Sequence, residues 1–342
     1  MTMVDRRSTG DGGLDADLDR LLDDLGVVEN RAVLREVFVS AVRLAQGGHT
    51  RLDLKITSAA LEEMRQAFTI LQPFRDVRKV TIFGSARTRP DDPAYALARD
   101  LAQALATEGW MVVTGAGPGI MAAGTEGAGP GMSLGVNIRL PFEQVANEFV
   151  EDQERLVTMK YFFTRKLMLI KESKGFVCLP GGFGTLDETF ELLTLQQTGK
   201  SDPAPIVLLD KPGGTYWTGW ERFVAEEVEA GGMIAPTDDE LWLNTTSVEA
   251  ACGEITGFYS NYHSQRYVGD RLVIRTERPV DRATLDRINR ACGDLATDGR
   301  ITRSGPLPPE RDDHPELPRL ILRYTPRHYG HLRPLIDLIN GA

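Results

Sequence analysis

Pro180-Gly181-Gly182-Phe183-Gly184-Thr185-Leu186-Asp187-Glu188 carries more information than any other stretch of this 342-residue chain. A short apolar run, Gly175-Phe176-Val177-Cys178-Leu179, precedes it and reads as a buried strand. A run from Leu186 to Gly199 follows, with Leu186, Phe190, Leu193 and Leu195 as apolar residues at helical spacing. Three glycines therefore sit at a strand-to-helix turn, where free backbone N–H groups and the helix dipole make an anion site. Glu188 lies one turn into that helix. A phosphate cradle beside a carboxylate points to a phosphorylated substrate with its chemistry close to the phosphate. The same residues admit a plainer reading, since Thr185-x-x-Glu188 also has the spacing of a capping box.

The surrounding sequence alternates between strand-like and helix-like segments. The pattern predicts strands over Lys79–Phe83, Trp110–Thr114, Ser133–Ile138, Gly175–Leu179 and Pro205–Leu209, and a weaker one over Glu240–Leu243. Helices are expected over Pro93–Glu108, Gly119–Gly127, Leu156–Ser173, Leu186–Gly199 and Tyr216–Ala230. Near-continuous apolar strands separated by helices specify an α/β fold, a parallel sheet covered on both faces. Ligands of such sheets bind outside the carboxyl ends of the strands. Gly84-Ser85, Gly115–Gly119 and Gly181–Gly184 each follow a strand directly, so the three converge on one edge of the sheet.

Four segments are expected. Residues 1–13 read as a disordered tail and 14–76 as a helical extension, with Leu34, Phe38, Ala41, Leu61, Met64 and Phe68 on apolar stripes. Residues 77–263 form the alternating core. Residues 264–342 read as a small α/β unit, with strands over Arg271–Thr276 and Arg319–Tyr324 and helices over Asp281–Ala296 and His331–Ile339.

The formal charge of −10 argues against a general nucleic-acid partner, which favours a basic face. Cys178, Cys252 and Cys292 are widely spaced and make no metal or redox motif, and Cys178 reads as a small buried hydrophobe. His328 and His331 lack carboxylate or cysteine company, so no metal site is expected. Residues 1–25 are polar and acidic, and no apolar run approaches the roughly 20 residues of a membrane span. Together these predict a cytoplasmic protein with no membrane partner.

The nine-residue block matches the PGGxGTxxE signature of the LOG family, also labelled "lysine decarboxylase-like". Two more elements resemble that family, in its order. One is the pair Arg165-Lys166; the other is the loop Thr114-Gly115-Ala116-Gly117-Pro118-Gly119-Ile120-Met121, with Ala116 in place of a central glycine. The loop does not read as a dinucleotide fingerprint, because it follows the second strand and no acidic residue ends the next one. The resemblance implies a modified Rossmann-like core that hydrolyses the N-glycosidic bond of a nucleoside 5'-monophosphate to free base and ribose 5-phosphate. It implies no metal and no organic cofactor, and a homodimer or higher homo-oligomer with the site close to the subunit contact. It assigns catalysis to Glu188, which would stabilise positive charge on the ribose and handle the attacking water, and to Arg165, which would hold the phosphate or the carboxylate. Gly181, Gly182, Gly184 and Thr185 would bind the phosphate. Gly115, Gly117 and Gly119 would line the nucleotide site, and Lys166 would support it. Gly84-Ser85 resembles a family element near ribose or phosphate and reads equally as a plain turn. Leu140–Gln144 and Asn147 are expected to form a lid.

The chain departs from the short members of the family. Thr194-Leu195-Gln196-Gln197-Thr198-Gly199-Lys200 stands where they continue towards a histidine, and both termini carry extensions. An AMP-type substrate is therefore as plausible as a cytokinin riboside monophosphate. A non-catalytic nucleotide sensor is the alternative. A decarboxylase would need a lysine for pyridoxal phosphate and an acidic partner for its ring nitrogen, and no such pair stands out.

Overall fold

A computed structural model of the chain describes residues 5–139, 149, 153–310, 313–324 and 332–341. The expected lid over 140–144 and Asn147, together with His328 and His331, lies outside the described residues. The chain divides into two compact units, Met1–Glu63 and Met64–Ala342.

In the first unit, α1 (Gly12–Asp24) and α2 (Arg31–Gln46) are followed by α3 (Arg51–Leu71), which runs on into the second. The helical pattern expected from residue 14 onward is broken at Gly26, whose φ of 65° ends α1. The Asp11 carboxylate caps α1 by accepting from the Gly13 and Leu14 amides. Arg35 ties the pair together through Asp15 and Asp19, at 3.3 and 3.0 Å.

The second unit is built on a seven-stranded parallel sheet. Its elements are β1 (Lys79–Phe83), α4 (Pro93–Thr107), β2 (Met111–Thr114), α5 (Ile120–Ala128), β3 (Ser133–Ile138), β4 (Leu156–Met159), α6 (Phe162–Lys171), β5 (Gly175–Cys178), α7 (Phe183–Gln197), β6 (Ile206–Leu209), α8 (Tyr216–Phe223), β7 (Leu243–Thr245) and α9 (Val248–Gly257). The strand order is β4-β3-β2-β1-β5-β6-β7. Side chains alternate between two apolar layers. Val80, Ile82, Val112 and Val177 pack with α4, α5 and α9, while Phe83, Val113, Phe176 and Cys178 pack with α6, α7 and α8. Both faces are thus covered, as the near-continuous apolar strands require.

Several boundaries differ from the sequence reading, three of them by more than a residue or two of end effect or by a change of element type. Leu156–Met159 is a strand and not the start of a helix, because Val157 and Met159 are buried while Thr158 is exposed, the period of a strand. The helix expected to reach Ala230 changes to a π-helical turn at Val224–Glu229. The weak strand expected at Glu240–Leu243 begins only at Leu243, since a 3₁₀ segment from Pro236 to Leu241 comes first.

The chain then forms a second, antiparallel sheet of β8 (Tyr262–Val268), β9 (Arg271–Thr276), β10 (Thr302–Ser304) and β11 (Arg319–Arg323), in the order β10-β11-β9-β8. Helices α10 (Arg282–Cys292) and α11 (Leu332–Asn340) accompany it. Leu272, Ile274, Leu320, Leu335 and Ile339 join the same apolar cluster as α4 and α9. Among the described residues, no helix is long and apolar enough to cross a membrane.

Candidate active site

Strand order fixes where the site lies. The chain builds outward from β1 through β2, β3 and β4, then returns to lay β5, β6 and β7 on the other side of β1. The order reverses between β1 and β5, and ligands of open parallel sheets bind in the crevice outside the carboxyl ends of the strands at such a reversal. Gly84-Ser85 and Pro180–Thr185 flank that crevice, and Gly115–Gly119 follows the neighbouring β2. Backbone bonds join the three loops. The Ser85 amide donates to the Pro180 carbonyl at 3.2 Å, and the Ser85 carbonyl accepts from Ile120 at 3.0 Å. The Ser85 hydroxyl accepts from the Arg87 amide.

Close packing explains several of the glycines. Gly119 has φ of 68°, and a Cβ there would run into the Ser85 carbonyl. One on Gly115 would strike the Arg165 guanidinium, and one on Gly117 the Met121 side chain. Ala116 also has a positive φ, 56°, which explains why the family pattern carries glycine at this place. Gly181 has no room for a Cβ beside the Thr185 hydroxyl, whereas Gly182 and Gly184 face open space within 4 Å. Their bare backbone leaves the mouth of α7 accessible.

Helix α7 starts at Phe183, with Gly182 as its N-cap and no side-chain cap bond. Thr185 is therefore inside the first turn, and Glu188 lies in the second. The capping-box reading of Thr185-x-x-Glu188 does not hold, because a cap must precede the helix. The first-turn amides have no intrahelical acceptor and stand, with the positive end of the helix dipole, just beyond the carboxyl end of β5. Tyr216, at the start of α8, donates its hydroxyl to the Gly181 carbonyl at 2.7 Å and fixes the turn from outside.

Arg165 and Glu188 meet at the base of this cradle. Arg165 projects from the first half of α6, with its side chain only 11% exposed. Its Nε donates to the Val136 carbonyl at 2.9 Å and its Nη2 to Gly115 at 3.2 Å, so the guanidinium braces the β2–α5 loop. Its Nη1 stands 4.0 Å from the Glu188 carboxylate, which is 15% exposed. Burial pushes the Glu188 carboxyl up to about 7, against the opposing pull of Arg165 and Lys166. Burial likewise lowers Arg165, which Glu188 counteracts. Lys166 turns away along α7, to Asp187 at 2.7 Å and Glu191 at 2.6 Å.

The structure thus brings Gly181, Gly182, Gly184, Thr185, Glu188, Arg165, Ser85, Gly115, Gly117 and Gly119 to one edge of the sheet. Lys166 lies beside them with its charge engaged. Sequence reasoning missed Tyr216, which is 35 positions from Gly181 and carries no local signal. It also missed the prominence of Phe183, 94% exposed at the first turn of α7.

Comparison with known proteins places this geometry in company. Residues 115–255 match a family model described as "Possible lysine decarboxylase". A cytokinin riboside 5'-monophosphate phosphoribohydrolase of Mycobacterium tuberculosis is 34% identical over 160 residues, 45% of this chain and 81% of its own length. One of the same description from Mycobacterium marinum is 30% identical over 152 residues, 43% of this chain and 76% of its own. Among solved structures, a molybdenum cofactor binding protein of Rippkaea orientalis is similar at 21% identity and a TM-score of 0.37, covering 51% of this chain and 91% of that one.

Proposed function

The chain belongs to the LOG family, and we propose that it hydrolyses the N-glycosidic bond of a nucleoside 5'-monophosphate, releasing the base and ribose 5-phosphate. The observation that carries this reading is the largely enclosed Arg165–Glu188 pair beside the open amide cradle of α7. The 5'-phosphate sits on the first-turn amides, where Gly182 and Gly184 permit close approach. As the bond from C1' to the base nitrogen breaks, its electron pair leaves with the base and the ribose ring becomes cationic. Ionised Glu188 stabilises that charge in a site with little water to screen it. The same carboxylate takes a proton from water as the water oxygen bonds to C1', and the proton is returned to the departing base. A carboxyl near 7 is matched to holding and releasing a proton at neutral pH. Arg165 holds Glu188 and the β2–α5 loop in register.

The names of the mycobacterial relatives support a cytokinin riboside monophosphate as one substrate; the altered stretch at the end of α7 and the extensions support an AMP-like one. A decarboxylase reading is disfavoured at Lys166. Burial opposes its charge, but the hydrogen bonds to Asp187 and Glu191 outweigh burial and raise it, which keeps the amine protonated and unfit for a Schiff base.

The test is chromatographic, on wild type and Glu188→Gln with AMP, GMP, CMP, UMP and isopentenyl-adenosine monophosphate. Free base is expected from wild type alone, with nucleotide binding retained in the variant and a loss of at least about a hundredfold in turnover. Arg165→Ala is expected to damage both binding and turnover. Nucleotide bound without any base released would establish the sensor instead.

A further inference from the structure

A second concave site lies at the opposite edge of the parallel sheet. Its cavity has a volume of about 930 Å³. It is framed by the end of α3, the residues entering β1, the end of α6 and the paired strands β8 and β9. The candidate active site follows the last residues of β1 and β5; this cavity borders Lys79, the first residue of β1, and Lys174, which immediately precedes β5.

Its walls are basic in a protein of formal charge −10. Arg65, Arg75, Arg78, Lys171 and Lys174 line it from three separate segments. The acidic lining is Asp76 and Glu172, and Glu172 is already engaged by Lys171 at 2.5 Å and lies 4.0 Å from buried Lys79. Lys79 is held by the Phe74 and Val77 carbonyls, at 2.5 and 3.0 Å. Two of the cations are set over rings: Arg78 is 5.1 Å from the Tyr259 centroid, and Lys171 is 5.2 Å from that of Phe68. Arg75 and Lys174 make no ion pair within 4.0 Å among the described residues. Arg78 also pairs with Glu277 at 3.5 Å, so the charge left to a ligand is centred on Arg75 and Lys174, and holding like charges together in a concavity costs energy in the empty protein.

We propose that this cavity is a second anion site, distinct from the α7 cradle, that takes a small molecule bearing two or more phosphate groups. Volume and charge both set the class. A single phosphate would fill a small part of the cavity and reach only some of cations drawn from α3, from 75–78 and from 171–174. A ligand with several phosphates can engage all three segments at once through charge-assisted bonds. Phe68 and Tyr259 give it an apolar wall. The acidic surface as a whole disfavours a long polyanion such as nucleic acid.

Equilibrium dialysis of the full chain with inorganic tripolyphosphate tests this. It is compared with orthophosphate, and with the variants Arg75→Gln and Arg75→Gln/Lys174→Gln, both at exposed positions. Wild type is expected to bind tripolyphosphate at least about tenfold more tightly than orthophosphate. The double variant should lose at least about tenfold, with unchanged melting temperature and unchanged basal turnover, and the single variant should lose a smaller factor. Undiminished binding by the double variant would place the anion elsewhere and overturn the site. Equal affinity for orthophosphate, or tighter binding of a short single-stranded oligonucleotide, would overturn the ligand class.

Discussion

Glu188 shows how one residue's environment couples chemistry to stability. Its carboxyl ordinarily titrates at 4.5 and is pushed up to about 7 by burial. Between those values the folded chain keeps a proton that the unfolded chain has released. Stability therefore falls as pH rises through this window, by roughly 3 kcal/mol for a shift of this size. Turnover, which uses the ionised form, rises over the same interval. Glu188→Gln mimics the protonated state at every pH. It should melt with wild type near about pH 5 and several degrees above it near about pH 8. A melting difference that stays constant with pH would remove the raised carboxyl from the account. The identity of Glu188 was readable from its place in the signature block, but its proton affinity was not, since that is set by burial and by the approach of Arg165 from α6, both products of tertiary packing. Ala116 is a similar case. The sequence marks it as a departure from the pattern, and only the backbone shows that it occupies a left-handed conformation.

The turn before α7 depends on another element for its shape. The Tyr216 hydroxyl, from α8, reaches the Gly181 carbonyl and sets the direction in which the first-turn amides face. Removing that one bond in Tyr216→Phe leaves the ring contact with Trp217 in place. The loss of about 1 kcal/mol should lower the melting temperature by a few degrees, and the loosened cradle should raise KM by up to about fivefold with kcat little changed. A fall in kcat at constant KM would mean that Tyr216 acts on the reacting centre and not on the cradle. Element types were readable where burial produced a clear period. The apolar strands from β1 to β6 announced themselves, with β4 the exception, because Leu156-Val157-Thr158-Met159 runs without a break into the helical spacing of α6. Strand β8 was not readable either. Tyr262-His263-Ser264-Gln265-Arg266-Tyr267-Val268 is mostly polar, and its pairing with β9 comes from tertiary context.

The antiparallel sheet and the parallel sheet share one apolar cluster, which also contains Trp110. Beside that cluster, Glu310 is enclosed by two arginines. Arg275 Nη2 lies 2.7 Å and Arg319 Nε 3.1 Å from its carboxylate, and the three side chains are between 0% and 4% exposed. Burial opposes the charge on Glu310, but the bonds from the Leu307 amide and both arginines outweigh it and hold the carboxyl below its usual range. Glu310→Ala leaves two buried guanidinium groups without this counter-ion, at a cost of about 3–5 kcal/mol. All four tryptophans precede β8, and only Trp110 belongs to the shared cluster while Trp217, Trp220 and Trp242 lie in the other apolar layer, so tryptophan fluorescence reports chiefly the parallel-sheet part. A continuous core predicts that Glu310→Ala lowers the fluorescence and circular-dichroism midpoints together, as one transition. An early dichroism change with an unmoved fluorescence midpoint would show instead that the antiparallel sheet unfolds by itself. The two sheets would then be coupled too weakly for events at one to alter the cradle held by the other.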